Sequence, residues 1–534
     1  MEADHQKKIF QAMKKSDFYP HPVETVMGAI EQRETHISKV FLTGSYVYKI
    51  KKAVGLEFLD FTTLEKRQYY CDQELLLNRR LAHNIYLDVV PITFRNGCYN
   101  LGGSGDPVEY AVKMRQLPDD ESMKYMLRNS TIGKKEIEEL SYALTEFYEK
   151  TPPNGQINTF GSWETIQANC QENFKTTKKF AQNIIDKKKF QMVIAATESF
   201  LHKRKKLFQH RIDQGKIRDC HGDLKTEHVY YTKDGVQIID CIEFNKDFRY
   251  QDIACDLAFL LMGFDYEGFS RTGHDLLSAY VKRTNDQNVF ILLDFYKCYR
   301  AVVRCKVNCI RISEGFTDKD EEIALLEETE KYLDLAYRYA LQFTRPTIWI
   351  VCGISASGKS TISRELGKLF DIKVINSDVI RKKIFGIKTQ ETSDLPFEKG
   401  IYSKGASSLT YGQLLLLAQE EIEKGNSVII DATFSTRHWR IEAIRMAEDM
   451  DVNIVFVECL LSDELTKKRL VERENVVSVS DARVHHFEDL KRLFEPLESL
   501  PNEMHIRLNT IKPLNECMQQ ILSHKERGGN NFHK

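Results

Sequence analysis

The pattern of apolar and polar positions divides the chain into a β-rich beginning, a helical middle and a second half in which strands and helices alternate. In the beginning, β-branched and aromatic residues cluster in short runs bounded by turn residues. These runs predict strands in HISKVFLTG (36–44), SYVYKIKK (45–52), YLDVVPITFR (86–95) and VEYAVKMRQL (108–117). The Thr-Gly-Ser turn between the first two predicts a hairpin, and GGSGDP before the last one predicts a second hairpin turn.

After residue 346 the apolar runs are continuous rather than alternating, and helical text separates them. They are TIWIVC (347–352), IKVIN (372–376), SVIIDAT (427–433), NIVFVECL (453–460) and MHIRLN (504–509). Short strands that are apolar on both faces and alternate with helices indicate a parallel sheet covered by helices on each side. The second half is therefore predicted to be an α/β sandwich.

The break between the two halves falls at Thr344-Arg345-Pro346, where proline interrupts a long amphipathic helix. We predict two domains, of α+β type over residues 1–345 and of parallel α/β type over residues 346–522, and a flexible polar tail over 523–534. A chain of 534 residues is long enough for each domain to bury its own core.

Composition restricts the classes of partner. Lys plus Arg total 76 and Asp plus Glu total 77, so the basic excess typical of proteins that bind nucleic acids or anionic membranes is missing. The twelve cysteines show no paired C-x-x-C spacing, which favours reduced thiols over disulfides or a zinc site. No apolar run is long enough to span a membrane. We therefore expect a cytoplasmic protein without a membrane partner, and the charge balance disfavours a nucleic-acid partner.

The most informative motif is GISASGKST, which follows the strand TIWIVC and opens a helix. It matches G-x-x-x-x-G-K-[ST], a loop whose backbone N–H groups surround phosphate oxygens. Lys359 can reach the β- and γ-phosphates of a nucleotide, and the hydroxyl of Ser360 can bind Mg²⁺. The predicted nucleotide-binding residues here are Gly353, Ile354, Ser355, Ala356, Ser357, Gly358, Lys359, Ser360 and Thr361.

Phosphoryl transfer also needs a base, a metal carboxylate and cations, and the C-terminal half offers each. Asp431 ends the strand SVIID, where a carboxylate can hold Mg²⁺ beside Ser360. Asp378 follows the second strand and can act as the general base. Arg469 and Arg473 lie four residues apart on one helix face and can form an arginine clamp over the phosphates.

A second constellation lies in the N-terminal half, in CHGDLKTEHVYY and VQIIDC. Asp223 is predicted to lie on a loop, where it can accept or orient the proton of a substrate hydroxyl. Asp240 follows a predicted strand and is placed to bind Mg²⁺.

The C-terminal half resembles phosphate-loop small-molecule and polynucleotide kinases, including zeta-toxin, gluconate-kinase and chloramphenicol-phosphotransferase relatives. The resemblance rests on GISASGKST, NSDVIRKKIFG and IIDATFSTRHWR. It implies ATP, Mg²⁺ and a hydroxylated acceptor, with Asp378 and Lys359 as catalytic residues, Asp431 in the metal site and Arg473 in a lid.

The N-terminal half resembles the aminoglycoside phosphotransferase and protein-kinase-like fold, which is bilobal and carries H-G-D-x-x-x-x-N followed by an Ile-Asp metal carboxylate. The resemblance implies that Asp223 is catalytic, that Asp240 binds metal, and that Lys49 holds the nucleotide phosphates with Glu74 as its partner. Lys51 shares the face of Lys49 and remains an alternative.

This chain departs from that pattern at His228, which stands where the fold carries a metal-binding asparagine. An imidazole nitrogen suits softer metals than Mg²⁺. Either the N-terminal domain works with one ion, or it is a binding or regulatory module.

The order of the two domains resembles bacterial proteins described as bifunctional aminoglycoside phosphotransferase/ATP-binding proteins. We therefore expect an ATP- and Mg²⁺-dependent phosphotransferase whose acceptor is a small hydroxylated molecule. A nucleotide-sensing protein with an inert N-terminal domain is one alternative, and a polynucleotide-end kinase is another.

Overall fold

The structure is a computed structural model that describes residues 2–25, 29–56, 59–180, 184–316, 318–388, 400–474 and 480–528. The predicted tail lies outside the described residues from position 529 onward. Two compact units are distinguished, one formed by Met1–Thr284 with Tyr296–Tyr337 and the other by Asn285–Phe295 with Arg338–Lys534. We call them the N-terminal and the C-terminal unit.

Twelve strands of the described chain precede residue 285. They are β1 Glu31–Glu34, β2 Ser38–Leu42, β3 Tyr46–Lys51, β4 Gly55–Leu56, β5 Leu59–Asp60, β6 Tyr86–Arg95, β7 Cys98–Leu101, β8 Asp106–Arg115, β9 Ile217–Asp219, β10 Val229–Thr232, β11 Gly235–Ile238 and β12 Tyr250–Asp252. Six of them form an antiparallel sheet in the order β1-β2-β3-β8-β6-β7. The pairs β10-β11 and β9-β12 form two small antiparallel ribbons, and residues 220–228 lie between β9 and β10.

Thirteen described helices precede the first strand of the C-terminal unit. They are α1 Glu2–Ala12, α2 Leu64–Ala82, α3 Met123–Arg128, α4 Lys134–Glu149, α5 Gly155–Asn158, α6 Trp163–Lys178, α7 Lys187–Lys203, α8 Lys205–Asp213, α9 Lys246–Arg249, α10 Ile253–Glu267, α11 Ser270–Thr284, α12 Val289–Ser313 and α13 Lys319–Thr344. Helix α2 begins where the Thr63 hydroxyl accepts a hydrogen bond from the Lys66 amide, and it packs on β8 and β6.

The first predicted hairpin is confirmed, and the second is confirmed in its antiparallel strand pair, β6 and β8, but not in its turn. Strands β2 and β3 pair through the turn at Thr43-Gly44-Ser45. The GGSGDP segment does not join paired strands, because β7 and β8 lie on opposite sides of β6. The hairpin in this region is β6-β7, which turns at Asn96-Gly97. Strand pairing is a long-range choice, which the turn residues alone do not determine.

The C-terminal unit is built on five parallel strands in the order β14-β15-β13-β16-β17. They are β13 Thr347–Cys352, β14 Lys373–Asn376, β15 Val428–Asp431, β16 Asn453–Leu460 and β17 His505–Asn509. The helices are α14 Lys359–Phe370, α15 Ser377–Ile384, α16 Lys404–Glu423, α17 Arg437–Asp449, α18 Asp463–Glu474, α19 Phe487–Arg492 and α20 Leu514–Gly528. All five strands predicted from the apolar runs are present, and the predicted α+β and parallel α/β classes are confirmed.

Short 3-10 turns complete the described elements. They are Ser16–Phe18, Asp119–Glu121, Thr159–Gly161, Thr226–His228, Gly400–Tyr402 and Val484–His486.

The central strand β13 is buried along its whole length, which explains why its sequence is uninterruptedly apolar. Its core cluster includes Ile350, Ile430 and Phe456 from three neighbouring strands and Leu414 from α16. Because parallel strands direct their carboxyl ends to one edge, this packing brings the loops after β13, β14 and β15 together at that edge.

All twelve cysteines are free thiols, and all except Cys98 are buried. No described helix combines the length and the apolar character needed to cross a membrane.

Candidate active sites

The loop between β13 and α14 has the backbone of a phosphate-binding loop. Gly353 has φ of +129° and Gly358 has φ of +97°, both in the region that favours glycine. A Cβ at Gly353 would lie 2.5 Å from the carbonyl oxygen of Cys459, so any larger residue collides with backbone there. Ala356 also has positive φ, at +67°. The loop is therefore held in a strained conformation at the N-terminus of α14, where an anion is favoured.

The side chains of this loop lie as the motif predicts. Lys359 opens α14 and donates a hydrogen bond to the carbonyl of Ile354, at 2.9 Å, so its ammonium lies over the loop. Burial lowers the pKa of Lys359, and Asp431 opposes that shift. Ser355 and Ser357 are buried, and the Ser357 hydroxyl has no hydrogen-bond partner among the described residues. Ser360 and Thr361 are exposed in the first turn of the helix.

Asp431 is buried at the carboxyl end of β15, in register with Val351 of β13 and Asn376 of β14. The Asn376 amide donates a hydrogen bond to Asp431 Oδ2, at 2.8 Å. The same side chain accepts hydrogen bonds from the backbone amides of Asp378 and Val379 and so caps α15. One asparagine thus contacts both the carboxylate of Asp431 and the backbone amide of Asp378.

Asp378 lines a cavity of about 450 Å³ together with Ile354 and Ser355 of the phosphate loop. Tyr402, Tyr411 and Trp439 give the same cavity aromatic walls, and many serine and threonine hydroxyls line the rest. Burial raises the pKa of Asp378, although Arg381 and Lys359 act against it. A carboxylate whose pKa is raised toward neutrality is a stronger proton acceptor at physiological pH.

Three arginines surround these groups. Arg381 is buried, lines the cavity and donates hydrogen bonds to the Ile401 carbonyl at 2.8 Å and to the Ser407 hydroxyl at 3.3 Å. Arg469 reaches the carbonyl of Ala356, at 3.5 Å. Arg473 interacts electrostatically with Asp378 and Asp431, while burial lowers its pKa. Both predicted clamp arginines therefore project from α18 toward the phosphate loop or its carboxylates.

The C-terminal donor set fits Mg²⁺. Asp431 and Ser360 offer oxygen atoms only, and Mg²⁺ completes its shell with water and nucleotide phosphates rather than with many protein ligands. The Asn376 amide fixes the carboxylate without adding a nitrogen ligand, because its nitrogen carries hydrogens.

In the N-terminal unit, Lys49 and Lys51 of β3 both pair with Glu74 of α2. The Lys49 ammonium is 2.9 Å from Glu74 Oε1, and the Lys51 ammonium is 2.8 Å from Glu74 Oε2. Lys49 also contacts Asp240 Oδ1, at 2.5 Å, whereas Lys51 pairs with Glu243 and is fully buried. Lys49 is the lysine that faces the predicted metal carboxylate, and Lys51 is part of the buried support beneath it.

The loop that bears Asp223 follows β9 and is anchored from below by Asp256 of α10. Asp256 accepts hydrogen bonds from the backbone amides of His221, at 3.0 Å, and Gly222, at 2.9 Å. Lys225 lies beside Asp223, with 3.0 Å between its ammonium and Asp223 Oδ2. Burial opposes ionisation of Asp223, but Lys225 and His228 outweigh it and keep the pKa of that carboxyl low.

Asp240, His228 and Asp223 converge although they come from different segments. Asp240 follows β11 with φ of +66° and is half-buried. His228 ends the turn before β10, and its Nε2 lies 3.6 Å from Asp240 Oδ2. Burial acts against the charge of Asp240, yet the Lys49 ammonium and His228 hold the pKa of that carboxyl well below its usual range. With imidazole in the place of an oxygen ligand, this donor set does not fit the all-oxygen shell of Mg²⁺.

Two residues of these sites, Asn376 and Lys225, were missed as site residues by the sequence prediction. Asn376 could have been found as the last residue of its strand, directly before a helix start. Lys225 stands two positions after Asp223. In each case the spacing was visible, but only the fold shows that the side chain reaches the site.

A family model described as "AAA domain" matches residues 348–497, which confirms the predicted phosphate-loop domain. Two relatives from mycobacteria match nearly the whole chain. "Uncharacterized protein Rv2004c" of Mycobacterium tuberculosis and "Uncharacterized protein Mb2027c" of Mycobacterium bovis are each 31% identical over 466 residues, which cover 87% of this chain and 90% of the relative.

Solved structures are similar over parts of the chain. A choline/ethanolamine kinase family protein from Mesorhizobium loti is 13% identical and covers 63% of this chain and 99% of its own, with a TM-score of 0.35. A gluconokinase from Sinorhizobium meliloti is 16% identical and covers 36% and 97%, with a TM-score of 0.27. The APS kinase CysC of Mycobacterium tuberculosis, in complex with AMPPNP and APS, is 19% identical and covers 34% and 97%, also with a TM-score of 0.27.

Proposed function

The chain belongs to the family of the mycobacterial proteins Rv2004c and Mb2027c, and we propose that its C-terminal domain is a Mg-ATP-dependent kinase. In this proposal the γ-phosphoryl group passes from ATP to a small hydroxylated acceptor. The domain boundaries that go with it are 1–345 for the kinase-like N-terminal domain and 346–522 for the phosphate-loop domain.

One observation carries the proposal, namely that Asp378 and the phosphate loop line the same cavity. The volume of about 450 Å³ suits a metabolite-sized acceptor. Aromatic walls and hydroxyl groups suit a molecule with apolar faces and several polar substituents. The neutral charge balance of the chain favours such an acceptor over a polynucleotide end.

The residues suggest a direct in-line transfer. The loop N–H groups and Lys359 hold the β- and γ-phosphate oxygens, and the acceptor hydroxyl lies in the cavity beside Asp378. Asp378 takes the hydroxyl proton as the acceptor oxygen bonds to the γ-phosphorus. The bond from that phosphorus to the β,γ-bridging oxygen breaks, and ADP leaves. Arg473 and Lys359 stabilise the charge that develops on the transferring group.

Ser360 and Asp431 would hold Mg²⁺, which neutralises charge on the β- and γ-phosphates when it is bound. Asn376 keeps Asp431 in the orientation that this role requires.

Incubation with γ-labelled ATP and a metabolite extract tests the proposal. We expect a labelled small molecule from the wild type and at least a 100-fold lower yield from Lys359→Ala and Asp378→Asn, because these remove a phosphate contact and the base. Asp378→Asn should fold normally, since burial already disfavours the charged carboxylate. Lys368→Ala is the matched control, because Lys368 is an exposed lysine on the same helix. Undiminished labelling of every product by Lys359→Ala would refute the proposal for the C-terminal domain.

A second nucleotide site in the N-terminal unit is part of the proposal, with Lys49, Glu74 and Asp223 in the roles given by the resemblance. The convergence of Lys49 on Asp240 supports it. The alternative, an inert nucleotide sensor, is favoured by His228 at the metal position. Transfer that persists in Lys359→Ala and disappears in Lys359→Ala/Asp223→Asn would support catalysis here. Binding of a nucleotide without any turnover in Lys359→Ala would support the sensor.

A further inference from the structure

The group formed by Asp223, His228 and Asp240 has the properties of a metal site that differs from a kinase Mg²⁺ site. In the described part of the chain it is the one group of three acidic, histidine or cysteine residues whose ligand atoms all lie within 4.8 Å of one another. Asp223 lies in the loop after β9, His228 ends the turn before β10, and Asp240 follows β11. The fold of this region brings the three side chains together.

The orientation of the His228 ring leaves one nitrogen available to a metal. Its Nδ1 is 2.9 Å from the backbone carbonyl oxygen of Asp223. A carbonyl oxygen only accepts hydrogen bonds, so Nδ1 carries the proton and donates it. The lone pair of the neutral ring then lies on Nε2, which faces Asp240. A backbone carbonyl that holds the second nitrogen is the usual support of a metal-binding histidine.

The spacing of one facing pair, His228 Nε2 and Asp240 Oδ2, is closer to that of ligands on a tetrahedral ion than on octahedral Mg²⁺. A nitrogen and an oxygen bound to one tetrahedral ion lie about 3.4 Å apart, whereas neighbouring ligands of octahedral Mg²⁺ lie about 3.0 Å apart. His228 Nε2 and Asp240 Oδ2 are 3.6 Å apart. Lys49 contacts the other oxygen of Asp240, so Oδ2 is the oxygen that remains on the histidine side.

We propose that Asp223, His228 and Asp240 bind one divalent first-row transition-metal ion through nitrogen and oxygen ligands, in preference to Mg²⁺. The two carboxylates carry a charge of −2, and Lys49 and Lys225 each pair with one of their oxygens. Imidazole selects ions of the Co²⁺ and Zn²⁺ type over hard Mg²⁺. Asp240 is half-buried, which gives the ion access from solvent. The inference does not depend on phosphoryl transfer by the C-terminal domain.

The rival arrangement is a protonated His228 that pairs with both carboxylates and takes the place of a cation. It uses the same Nδ1 hydrogen bond, but Nε2 then donates to Asp240 and leaves no lone pair for a metal. The two arrangements therefore predict opposite results in a metal titration.

The test uses nucleotide-free full-length protein in a Cys98→Ser, Asp431→Asn background, which removes the exposed thiol and the C-terminal metal carboxylate. Co²⁺ and Mg²⁺ are titrated separately by calorimetry, and the visible absorption of Co²⁺ reports its coordination. We expect one Co²⁺ per chain with the intense bands of a tetrahedral ion, and an affinity for Mg²⁺ at least 10-fold lower.

His228→Asn should reduce the affinity for Co²⁺ at least 10-fold and abolish the intense bands. His83→Asn, which changes an exposed histidine, should leave both unchanged. If His228→Asn fails to fold, pulsed EPR of Mn²⁺ bound to the parent protein still decides, because an imidazole ligand adds a nitrogen coupling. Absence of Co²⁺ binding, or Co²⁺ binding that is the same in His228→Asn, would overturn the proposal.

Discussion

Asn376 connects the two carboxylates of the C-terminal site through a single side chain. Its nitrogen donates to Asp431, and its oxygen caps the helix that carries Asp378. A residue in this position contacts no substrate, yet it fixes the relative placement of the proposed base and the proposed metal ligand. It is a positioning residue.

Asn376→Asp separates these two roles. Aspartate still caps α15, but its second oxygen faces Asp431 Oδ2 at hydrogen-bond distance without a proton to donate. We expect ATP turnover to fall about 10- to 100-fold and the midpoint of thermal unfolding to change little. Asn426→Asp makes the same charge change at an exposed site of the same unit and should leave turnover intact. Equal turnover in both variants would show that Asn376 only caps its helix.

His221 makes the N-terminal unit sensitive to acid. Its Nε2 donates to the Ile239 carbonyl at 3.0 Å, and its Nδ1 accepts from the Asp223 amide at 3.3 Å, so the buried ring is held neutral. Burial lowers the pKa of His221 to about 4, from its usual 6.5. As the pH falls below 6.5, His221 therefore binds a proton in the unfolded chain but not in the folded chain. The free energy of unfolding decreases over this range.

Between pH 7 and pH 5 the protonation of His221 in the unfolded chain should lower the free energy of unfolding by about 2 kcal/mol. Scanning calorimetry of the wild type and of His221→Asn at both pH values measures it. The variant should lose less stability on acidification than the wild type, while His83→Asn should lose as much. An identical pH dependence in all three proteins would contradict the assignment.

At the residue scale, the sequence alone indicates the residues proposed to do chemistry more readily than the residues that position them. Lys359, Asp378 and Asp431 are recognisable because their chemistry needs those residue types at those positions. Asn376 and Lys225 are not, because an amide or an ammonium next to a carboxylate becomes informative only when the distance between them is known.

At the scale of elements, strand β13, the phosphate loop and helix α14 together position the candidate C-terminal site. Its strand was predictable to the residue because burial on both faces leaves no alternative to apolar side chains. The pairing of β6, β7 and β8 was not, because turn chemistry limits which segments bend but not which strands meet.

Gly353→Ala tests how closely the phosphate loop packs against the backbone of Cys459. The added methyl group would meet the Cys459 carbonyl at 2.5 Å, at a φ of +129° that alanine avoids. We expect a loss of about 1–3 kcal/mol in unfolding free energy together with loss of nucleotide binding by the C-terminal unit. Gly412→Ala is the opposite control, because Gly412 lies in the interior of α16 with open space around it. That change should stabilise the protein by about 0.5–1 kcal/mol. Thermal and urea unfolding of both variants check the sign of each change in unfolding free energy.

At the scale of the whole molecule, the chain carries two candidate nucleotide sites of unrelated architecture in one polypeptide. One is built from backbone amides at a helix N-terminus, and the other from a lysine on an antiparallel strand and its glutamate partner. Binding measurements on the intact chain therefore report the sum of the nucleotide bound at both candidate sites.

We expect the wild type to bind two molecules of a non-hydrolysable ATP analogue, measured by equilibrium dialysis. Lys359→Ala should bind one, Lys359→Ala/Lys49→Ala none, and Lys368→Ala two, because only the first two variants remove a phosphate contact. A stoichiometry of one in the wild type, lost in Lys359→Ala, would restrict nucleotide binding to the C-terminal unit.

The carboxylate that Glu74 shares between Lys49 and Lys51 would limit the order in which relatives could lose the proposed N-terminal nucleotide site during evolution. A lineage that replaces Lys49 keeps Glu74 paired with Lys51. A lineage that replaces Glu74 first leaves both Lys49 and Lys51 without that partner, and Lys51 is fully buried. Relatives that have lost the proposed nucleotide site should therefore have replaced the lysine at position 49 before the glutamate at position 74.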